Sequence, residues 1–266
     1  MPQRSLNERV TPLVVDGKSY REAFRAFLAG TDEKDVTHAY LTDVVRRLPT
    51  RRTFLDVGAA DGTTTKHLSP FFEKTLCVEP GEHMYELLRR NCPDAVILRE
   101  PVLEAQVQTP VDLALLSHVL YYLPRKQWTP ALLRILSWVR PGGELLVALQ
   151  NPANACMRMV RHFTGARFDL AGLAEELAAT ASPLVGAARL ETLPVHYHGG
   201  SLEEAVAVAE FHLSVPAPGA AEALPTRREL SAYVRRHFTD PAGGFTMPHD
   251  QDMLHIRRPE AAHHQP

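Results

Sequence analysis

The chain has 266 residues, of which 45% are hydrophobic and 23% are charged, and its formal net charge at pH 7 is −2. A chain of this length and composition can bury one large core, so we expect one domain with local elaborations. The near-neutral charge argues against a protein held on DNA or RNA mainly by phosphate contacts, and no nucleic-acid partner is predicted.

Neither a membrane span nor a metal site is indicated by the sequence. No apolar run approaches the roughly 20 residues of a spanning helix, and the first residues lack the apolar core of a signal peptide. Three cysteines without a close pair suit a reducing compartment. His196 and His198 share a strand face but have no obvious third ligand. We therefore predict a cytoplasmic protein without a metal, and we expect a monomer.

Two helices are predicted before the first strand. Tyr20, Phe24 and Phe27 fall on one helical stripe, and a second stripe runs from Val36 to Leu48. These helices are predicted to form an N-terminal cap over residues 1–52.

The centre of the chain alternates short apolar strands with helices. The predicted strands are 53–57, 75–79, 95–99, 111–117 and 143–149, and the predicted helices are 63–72, 82–91 and 126–139. Continuously apolar strands that alternate with helices are typical of a parallel, doubly wound α/β sheet.

The second half of the chain is less regular. We predict a helix at 169–181, a strand at 189–198 and a final strand at 252–257. Ser201 and Thr226 each precede a glutamate at capping-box spacing and so each begin a helix. The connection between the last two predicted strands contains these two helices, which is more than a minimal crossover between strands needs. Residues 199–240 are therefore predicted to be an insertion. Within it, the Pro/Ala-rich stretch 215–225 is predicted to be a linker.

The segment from Phe54 to Thr63 is predicted to run from a strand through a glycine turn into a helix, which presents backbone N–H groups to a nucleotide-like ligand. Gly58 and Gly62 lack a Cβ, so the backbone can turn tightly there and approach the ligand. Glu79 ends the next strand, where a carboxylate can accept both hydroxyls of a ribose. The sequence therefore predicts a nucleoside cofactor.

The spacing of the turn discriminates between cofactors. Gly58, Ala60 and Thr63 occupy the three glycine positions of a dinucleotide turn, so a nicotinamide cofactor is disfavoured, and no phosphate-binding G-x-x-x-x-G-K-[ST] occurs. The turn instead resembles the D-x-G-x-G-x-G of class I S-adenosylmethionine-dependent methyltransferases, with Asp56, Gly58 and Gly62 matching and Ala60 departing. Residues 112–117 and 141–149 resemble further motifs of that family.

This resemblance implies a Rossmann-like sheet of seven mostly parallel strands and the cofactor S-adenosyl-L-methionine. Residues 53–258 would form the methyltransferase domain, and residues 259–266 a tail. The cofactor contacts that the resemblance implies are Asp56, Gly58, Ala60, Gly62, Glu79, Pro80 and Ser117.

A closer resemblance is carried by the segments Tyr20–Leu28, Val78–Pro80 and Val119–Leu123 together with Glu33. In order and spacing they are similar to histamine N-methyltransferase and its relatives, continuously over about residues 20 to 150 and more loosely beyond. The resemblance implies an added substrate-binding region and a small nitrogenous substrate with an amine or imidazole.

The same resemblance implies roles for five residues. Glu33 matches the acid that pairs with the substrate amine, Tyr20 matches an aromatic near the substrate, and Tyr122 matches an aromatic of the pocket wall. His118 stands where the family has a glutamine, and His249, by an ungapped count, where it has an asparagine. Two histidines in place of two amides leave the identity of the substrate open.

The chemistry can also be argued without the family. The sulfonium cofactor carries the reactive methyl group, so the protein has to place a nucleophile in line with it and exclude water. A neutral nitrogen attacks directly, whereas a hydroxyl requires a base. His118, at the end of the fourth predicted strand, lies beside the expected ligand crevice and either removes a proton or orients the acceptor.

His118 and Tyr122 are therefore the candidate catalytic residues. The predicted function is methyl transfer to an amine or ring nitrogen of a small molecule. Two alternatives stay open: transfer to oxygen or carbon of a natural product or peptide, and a binding module that has kept the fold but lost the activity.

Overall fold

The computed structural model describes residues 6–13, 17–214 and 224–260. The chain forms two compact units. The sheet unit comprises Thr37–Leu149, Asp169–Thr192 and Asp252–Pro266, and the helix-rich unit comprises Met1–Val36, Gln150–Phe168 and Leu193–Gln251. The predicted linker lies outside the described residues except for its last two positions, and so do residues 261–266 of the predicted tail. The predicted domain boundaries stay predictions.

Helices are spread along the whole described chain. The α-helices are α1 (Lys18–Gly30), α2 (Glu33–Arg47), α3 (Thr63–Leu68), α4 (Glu82–Asn91), α5 (Trp128–Trp138), α6 (Ala155–Thr164), α7 (Leu170–Ala179), α8 (Leu202–Leu213) and α9 (Arg227–Phe238). Short 3₁₀ turns span Ser69–Phe71, Leu120–Tyr122 and Arg125–Gln127. Within the described residues, no helix is both long and apolar enough to cross a bilayer.

The strands of the described residues form two sheets. They are β1 (Thr53–Val57), β2 (Lys74–Val78), β3 (Val96–Leu98), β4 (Val111–Ser117), β5 (Val139–Gln150), β6 (Ala188–Leu193), β7 (His196–Gly199), β8 (Phe245–Pro248) and β9 (Gln251–Arg257). The larger sheet has the order β3-β2-β1-β4-β5-β9-β6, and the smaller one pairs β7 with β8.

The larger sheet confirms the predicted class I methyltransferase fold of seven mostly parallel strands. Strands β1 to β5 pair in parallel, with Val57 opposite both Val78 of β2 and Leu116 of β4. All residues of β1 are buried, because the strand is covered on both faces. The strand order reverses between β1 and β4, so their carboxyl ends form the crevice where such sheets bind ligands.

Asp112 fastens the opposite end of these strands. Its side chain is buried near the start of β4 and accepts hydrogen bonds from the backbone N–H groups of Arg52 and Thr53, each at 2.8 Å. The Thr50 hydroxyl and the Arg140 guanidinium also donate to it. The starts of β1, β4 and β5 are thereby joined by one carboxylate.

The helix-rich unit has its own core of aromatic rings. In it α1 packs against α8, and α8 packs against α9. Phe211 of α8 lies 5.6 Å from Phe27 and 5.5 Å from Tyr20, both of α1, measured between ring centroids. The antiparallel pair β7 and β8 places Tyr197 opposite Met247, and both are buried.

Several predicted boundaries agree with the structure and others were wrong. The strands predicted at 53–57 and 111–117 and the helix at 82–91 are confirmed. The single strand predicted at 189–198 is two strands in different sheets, separated at Pro194, which has no N–H to donate to a ladder. The helix predicted at 63–72 ends at Leu68 and continues as a 3₁₀ turn containing Pro70. Helix α6 and strand β8 were not predicted.

Candidate active site

The glycine turn follows β1 and leads into α3. Gly58 and Gly62 have φ angles of +76° and +82°, in the left-handed region that favours glycine. A Cβ on Gly58 would lie 2.3 Å from a methyl carbon of Val119, and one on Gly62 would lie 2.7 Å from a methyl carbon of Leu88. The backbone conformation and the packing behind the turn thus both require glycine at these positions. The reason predicted from the sequence was instead the close approach of a ligand.

Glu79 connects this turn to the next loop of the sheet edge. It follows β2 directly and is 8% exposed. One carboxylate oxygen accepts the N–H of Ala60 at 2.9 Å, and the other accepts the N–H of Gly81 at 2.8 Å. A carboxylate has about four acceptor sites. Glu79 is therefore held rigidly and can still accept the hydroxyls of a ribose.

Asp56 has a structural partner. It is the penultimate residue of β1, is 3% exposed, and accepts a hydrogen bond from the Thr65 hydroxyl at 2.6 Å. This bond fixes α3 against β1 and so shapes the turn between them. Pro80 is exposed beside Glu79, and Ser117 is half-buried at the end of β4. The predicted cofactor contacts of these three residues stay predictions.

His118 follows β4 in an unusual conformation. Its φ is +57°, which is uncommon for a residue with a side chain. Its N–H donates to the carbonyl of Ala148 at 3.0 Å, which extends the pairing of β4 with β5. Residues held in such strained conformations cluster at functional sites. The position of His118 is consistent with the predicted site at this edge.

The tyrosine that touches His118 is Tyr121. Its hydroxyl lies 3.3 Å from Nδ1 of His118, and the two rings stack with centroids 5.8 Å apart. Tyr121 is buried, whereas Tyr122, the predicted pocket residue, is 45% exposed. One feature of the sequence could have indicated this contact, because Tyr121 follows His118 by three positions. The roles predicted for His118 and Tyr122 stay predictions.

Two predicted substrate residues are neighbours in the helix-rich unit. Glu33 is the first residue of α2 and is 6% exposed, and His249 is completely buried between β8 and β9. Nδ1 of His249 lies 4.0 Å from a carboxylate oxygen of Glu33. The Thr31 hydroxyl lies 2.8 Å from Nε2 of the same ring. Thr31 was not predicted, although it stands only two residues before Glu33.

Tyr20, the other predicted substrate residue, belongs to the aromatic cluster of the same unit. Its ring is 6.3 Å from that of Phe24, on the same helix. Phe27, one turn further along α1, meets the ring of His249 edge-on at 5.1 Å. The aromatic stripe of α1 therefore continues to the Glu33 and His249 pair. Its contact with the substrate stays a prediction.

Two of the cysteines are deeply buried. Burial raises the pKa of the Cys77 thiol and of the Cys156 thiol, so neither is a ready nucleophile. Among the described residues, no group of three or more histidine, cysteine, aspartate or glutamate side chains is placed to hold a metal ion.

A family model described as a methyltransferase domain matches residues 32–211, which is more than half of the chain. The chain belongs to this methyltransferase family. The methyl donor of the family is S-adenosyl-L-methionine, so the predicted enzyme class and cofactor are confirmed. The glycine turn and Glu79 are suitable groups to hold the nucleoside part of that cofactor.

Solved structures similar to this methyltransferase share its fold. YcgJ of Bacillus subtilis is 12% identical, with 84% of this chain and 100% of that chain covered and a TM-score of 0.58. NodS, an N-methyltransferase of Bradyrhizobium japonicum in complex with S-adenosyl-L-homocysteine, is 17% identical, with 92% and 100% covered and a TM-score of 0.53. Phosphoethanolamine N-methyltransferase 2 of Haemonchus contortus is 12% identical, with 84% and 52% covered and a TM-score of 0.55. No curated protein matches the sequence.

Proposed function

We propose that this methyltransferase transfers the methyl group of S-adenosyl-L-methionine to a nitrogen of a small molecule that carries an amine or an imidazole. In this proposal Glu33 pairs with the positive charge of the substrate, and the glycine turn with Glu79 holds the cofactor. The expected cytoplasmic location and monomeric state, and the resemblance to histamine N-methyltransferase, belong to this proposal.

The buried carboxylate of Glu33 carries the proposal. It lies in the first turn of α2, where the unpaired N–H groups of the helix favour a negative charge. A buried charge is costly unless an opposite charge or hydrogen bonds compensate it. Lys34 lies 3.9 Å from one oxygen of Glu33, and a substrate ammonium group would add a further opposite charge and hydrogen bonds at this carboxylate. The resemblance to histamine N-methyltransferase independently gives Glu33 the same role.

The aromatic surroundings support the same substrate class. Phe27 is 3% exposed and meets the ring of His249. Tyr197 of β7 stacks on Phe27 at 6.3 Å. Aromatic rings attract cations through their negative faces. A carboxylate beside an imidazole that is itself packed on aromatic rings is a combination suited to an organic cation.

In the proposed reaction, the protein binds the cofactor and the acceptor and orients them toward each other. The cofactor, when bound, supplies an activated methyl group on a sulfonium sulfur. Glu79, fixed by two backbone N–H groups, accepts the ribose hydroxyls. A neutral nitrogen attacks without proton removal, so His118 is assigned the task of orienting the acceptor by one hydrogen bond.

Transfer to oxygen is the second candidate, and one contact favours it. Nδ1 of His118 lies 3.3 Å from the hydroxyl of Tyr121, so a hydrogen bond can fix the tautomer of the ring and leave Nε2 to receive a proton. A hydroxyl acceptor would require such a base. Two solved structures with this fold are N-methyltransferases, which shows that the fold admits nitrogen acceptors and favours the first candidate.

The substitution Glu33→Gln tests the proposal. It keeps the shape of the side chain and removes its charge, so KM for the amine should rise about 10- to 100-fold, the equivalent of one lost bond to a charged group. The kcat and the affinity for the cofactor should change little, because the lost interaction stabilises the bound substrate and the transition state equally.

Asp35 provides the matched control. It is exposed in the same first turn of α2, so Asp35→Asn removes the same charge from the solvated face. Equal KM values for the Glu33→Gln variant and the unaltered protein would place Glu33 outside the substrate site and contradict the proposal.

A further inference from the structure

The polar groups around Glu33 form a connected cluster in the helix-rich unit. The Thr31 hydroxyl donates to the carbonyl of His196 at 3.1 Å and accepts the N–H of Glu33 at 3.1 Å. The same hydroxyl contacts Nε2 of His249 at 2.8 Å. One threonine thus connects the backbone of Glu33 to the ring whose other nitrogen faces the Glu33 carboxylate.

The imidazole of His249 is fixed on every side. The backbone N–H of His249 donates to the carbonyl of Val195 at 2.9 Å, and the residue is 0% exposed. Phe27 packs against the ring edge-on, and the ring of His212 lies 6.1 Å away. The ring therefore has little freedom to turn Nδ1 away from Glu33.

A carboxylate that faces Nδ1 favours the states of the ring in which Nδ1 carries a proton. The Thr31 hydroxyl gives its one proton to the carbonyl of His196, so Nε2 carries the proton of the neutral ring, and Nδ1 is protonated only in the charged ring. In the charged ring, the imidazolium is a cation 4.0 Å from the carboxylate oxygen. The charged ring then competes with any other cation for Glu33.

We infer that His249 is a positioning residue for Glu33: the protonated ring pairs with the carboxylate and suppresses amine binding, and the neutral ring leaves the carboxylate to the substrate cation. This inference rests on the proposed function, because it takes Glu33 as the group that binds the amine. It makes recognition of the substrate dependent on pH through a residue that need not touch the substrate. An asparagine at this position, as in the resembled family, could not be protonated in this way.

Other charged groups stand near the pair. Lys34 lies 3.9 Å from the second oxygen of Glu33, and Asp32 lies 3.8 Å from Nδ1 of His196. Asp250 accepts the N–H of Val195 at 3.3 Å. These groups are present in every variant compared below, so differences between the variants report on His249 and Glu33.

Two other histidines lie close to this cluster and serve as controls for His249. Nδ1 of His212 lies 2.9 Å from the carbonyl of Val208 and therefore carries a proton. The side chain of His196 is 39% exposed and pairs with Asp32. His196→Asn and His212→Asn are the matched controls, because each removes one imidazole ring from the same unit.

The first arm of the test is an NMR titration of the whole protein labelled with ¹⁵N-histidine, with the His249 signal assigned through His249→Asn. We expect Glu33→Gln to move the midpoint of the His249 signal to lower pH by about one unit, a tenfold change in proton affinity. An unchanged midpoint would overturn the inference. This arm uses no substrate, so it does not depend on the proposed function.

The second arm measures binding of 2-phenylethylamine, whose ammonium group keeps its charge from pH 5.5 to 8.5, in the presence of S-adenosyl-L-homocysteine. Below the midpoint of His249 the dissociation constant should rise about tenfold per pH unit. His249→Asn should flatten this dependence, whereas the two control variants should keep it.

The two arms together distinguish the possible failures. A pH dependence that survives His249→Asn would overturn the inference. Absence of amine binding at every pH would overturn the inferred pH dependence of substrate recognition. If the NMR arm nevertheless succeeds, that absence would count against the amine substrate of the proposed function, and the pairing of His249 with Glu33 would stand.

Discussion

At the residue scale, the Glu79 carboxylate holds two loops together, and in the proposed function the same carboxylate accepts the ribose hydroxyls. Replacing it by alanine removes the acceptor of the Ala60 and Gly81 N–H groups, and with it the acceptor proposed for the ribose. We expect the binding free energy of S-adenosyl-L-methionine to weaken by about 1.5–3 kcal/mol, the range for hydrogen bonds to a charged group.

Isothermal titration of the cofactor measures this loss. Glu82→Gln is the control, because Glu82 is largely exposed at the start of the neighbouring helix α4. Unchanged affinity in Glu79→Ala would remove Glu79 from the cofactor site.

His118 is the residue that separates direct attack by nitrogen from base catalysis. If His118 orients the acceptor, His118→Gln should keep kcat within about tenfold, because an amide supplies the same hydrogen bond. The kcat at saturating acceptor should then be flat with pH. A loss of about 10²- to 10⁴-fold in kcat, together with a pH-dependent kcat in the unaltered protein, would identify His118 as a base.

The sequence allowed the residue types of the site to be predicted more readily than their contacts. Glu79 and the two glycines stand at fixed distances along one segment, so their spacing could be interpreted directly. Glu33 and His249 are distant in the chain, and only the folding of the helix-rich unit brings their side chains to 4.0 Å. The positive φ of His118 could not be predicted from the sequence either, because the presence of a histidine does not by itself indicate such a conformation.

Asp112 shows at the element scale how one carboxylate orders the starts of three strands. Burial raises the pKa of Asp112, but hydrogen bonds from Thr50, Thr53, Arg140 and Arg52 outweigh it, so the pKa is lowered. A lowered pKa means that the ionised form is bound more strongly in the folded state. Asp112 therefore stabilises the fold above its ordinary pKa, and this contribution is lost as the pH falls through its lowered value.

The substitution Asp112→Asn tests this effect. It leaves buried donors without a charged acceptor, so the free energy of unfolding at pH 7 should fall by about 1–3 kcal/mol. The difference from the unaltered protein should shrink as the pH falls below the ordinary aspartate pKa of 3.8. Urea unfolding at pH 7 and at a pH below 3.8 measures this difference. The variant Asp94→Asn, at an exposed position, is the control. A constant difference at all pH values would contradict the account.

Elements with a strong pattern could be predicted, and short or interrupted ones could not. Both capping boxes form as predicted, at Ser201 and at Thr226, because each depends only on residues three positions apart. Strand β8 has four residues and ends in Pro248, which is too short for an alternation to be detected. The break between β6 and β7 depends on which sheet each strand joins, and that is decided by distant parts of the chain.

At the scale of the whole molecule, the fold could be predicted because alternating apolar strands and helices admit few sheet topologies. The strand order, with β9 between β5 and β6, completes the seven-stranded sheet expected from the motifs. The composition of the two units could not be predicted, since the helix-rich unit draws on three separate stretches of the chain. The chemical class of the reaction follows from the family, whereas the acceptor depends on the side chains of this chain alone.

The most direct test of the central claim is transfer of an isotope-labelled methyl group from S-adenosyl-L-methionine to a panel of amines, imidazoles, phenols and short peptides, with the labelled atom located by mass spectrometry. We predict that the label appears on the nitrogen of a small amine or imidazole, that Glu79→Ala lowers the yield at limiting cofactor, and that Glu33→Gln lowers it at limiting acceptor. Label found only on oxygen or carbon, or transfer to an amine that is indifferent to Glu33→Gln, would contradict the account.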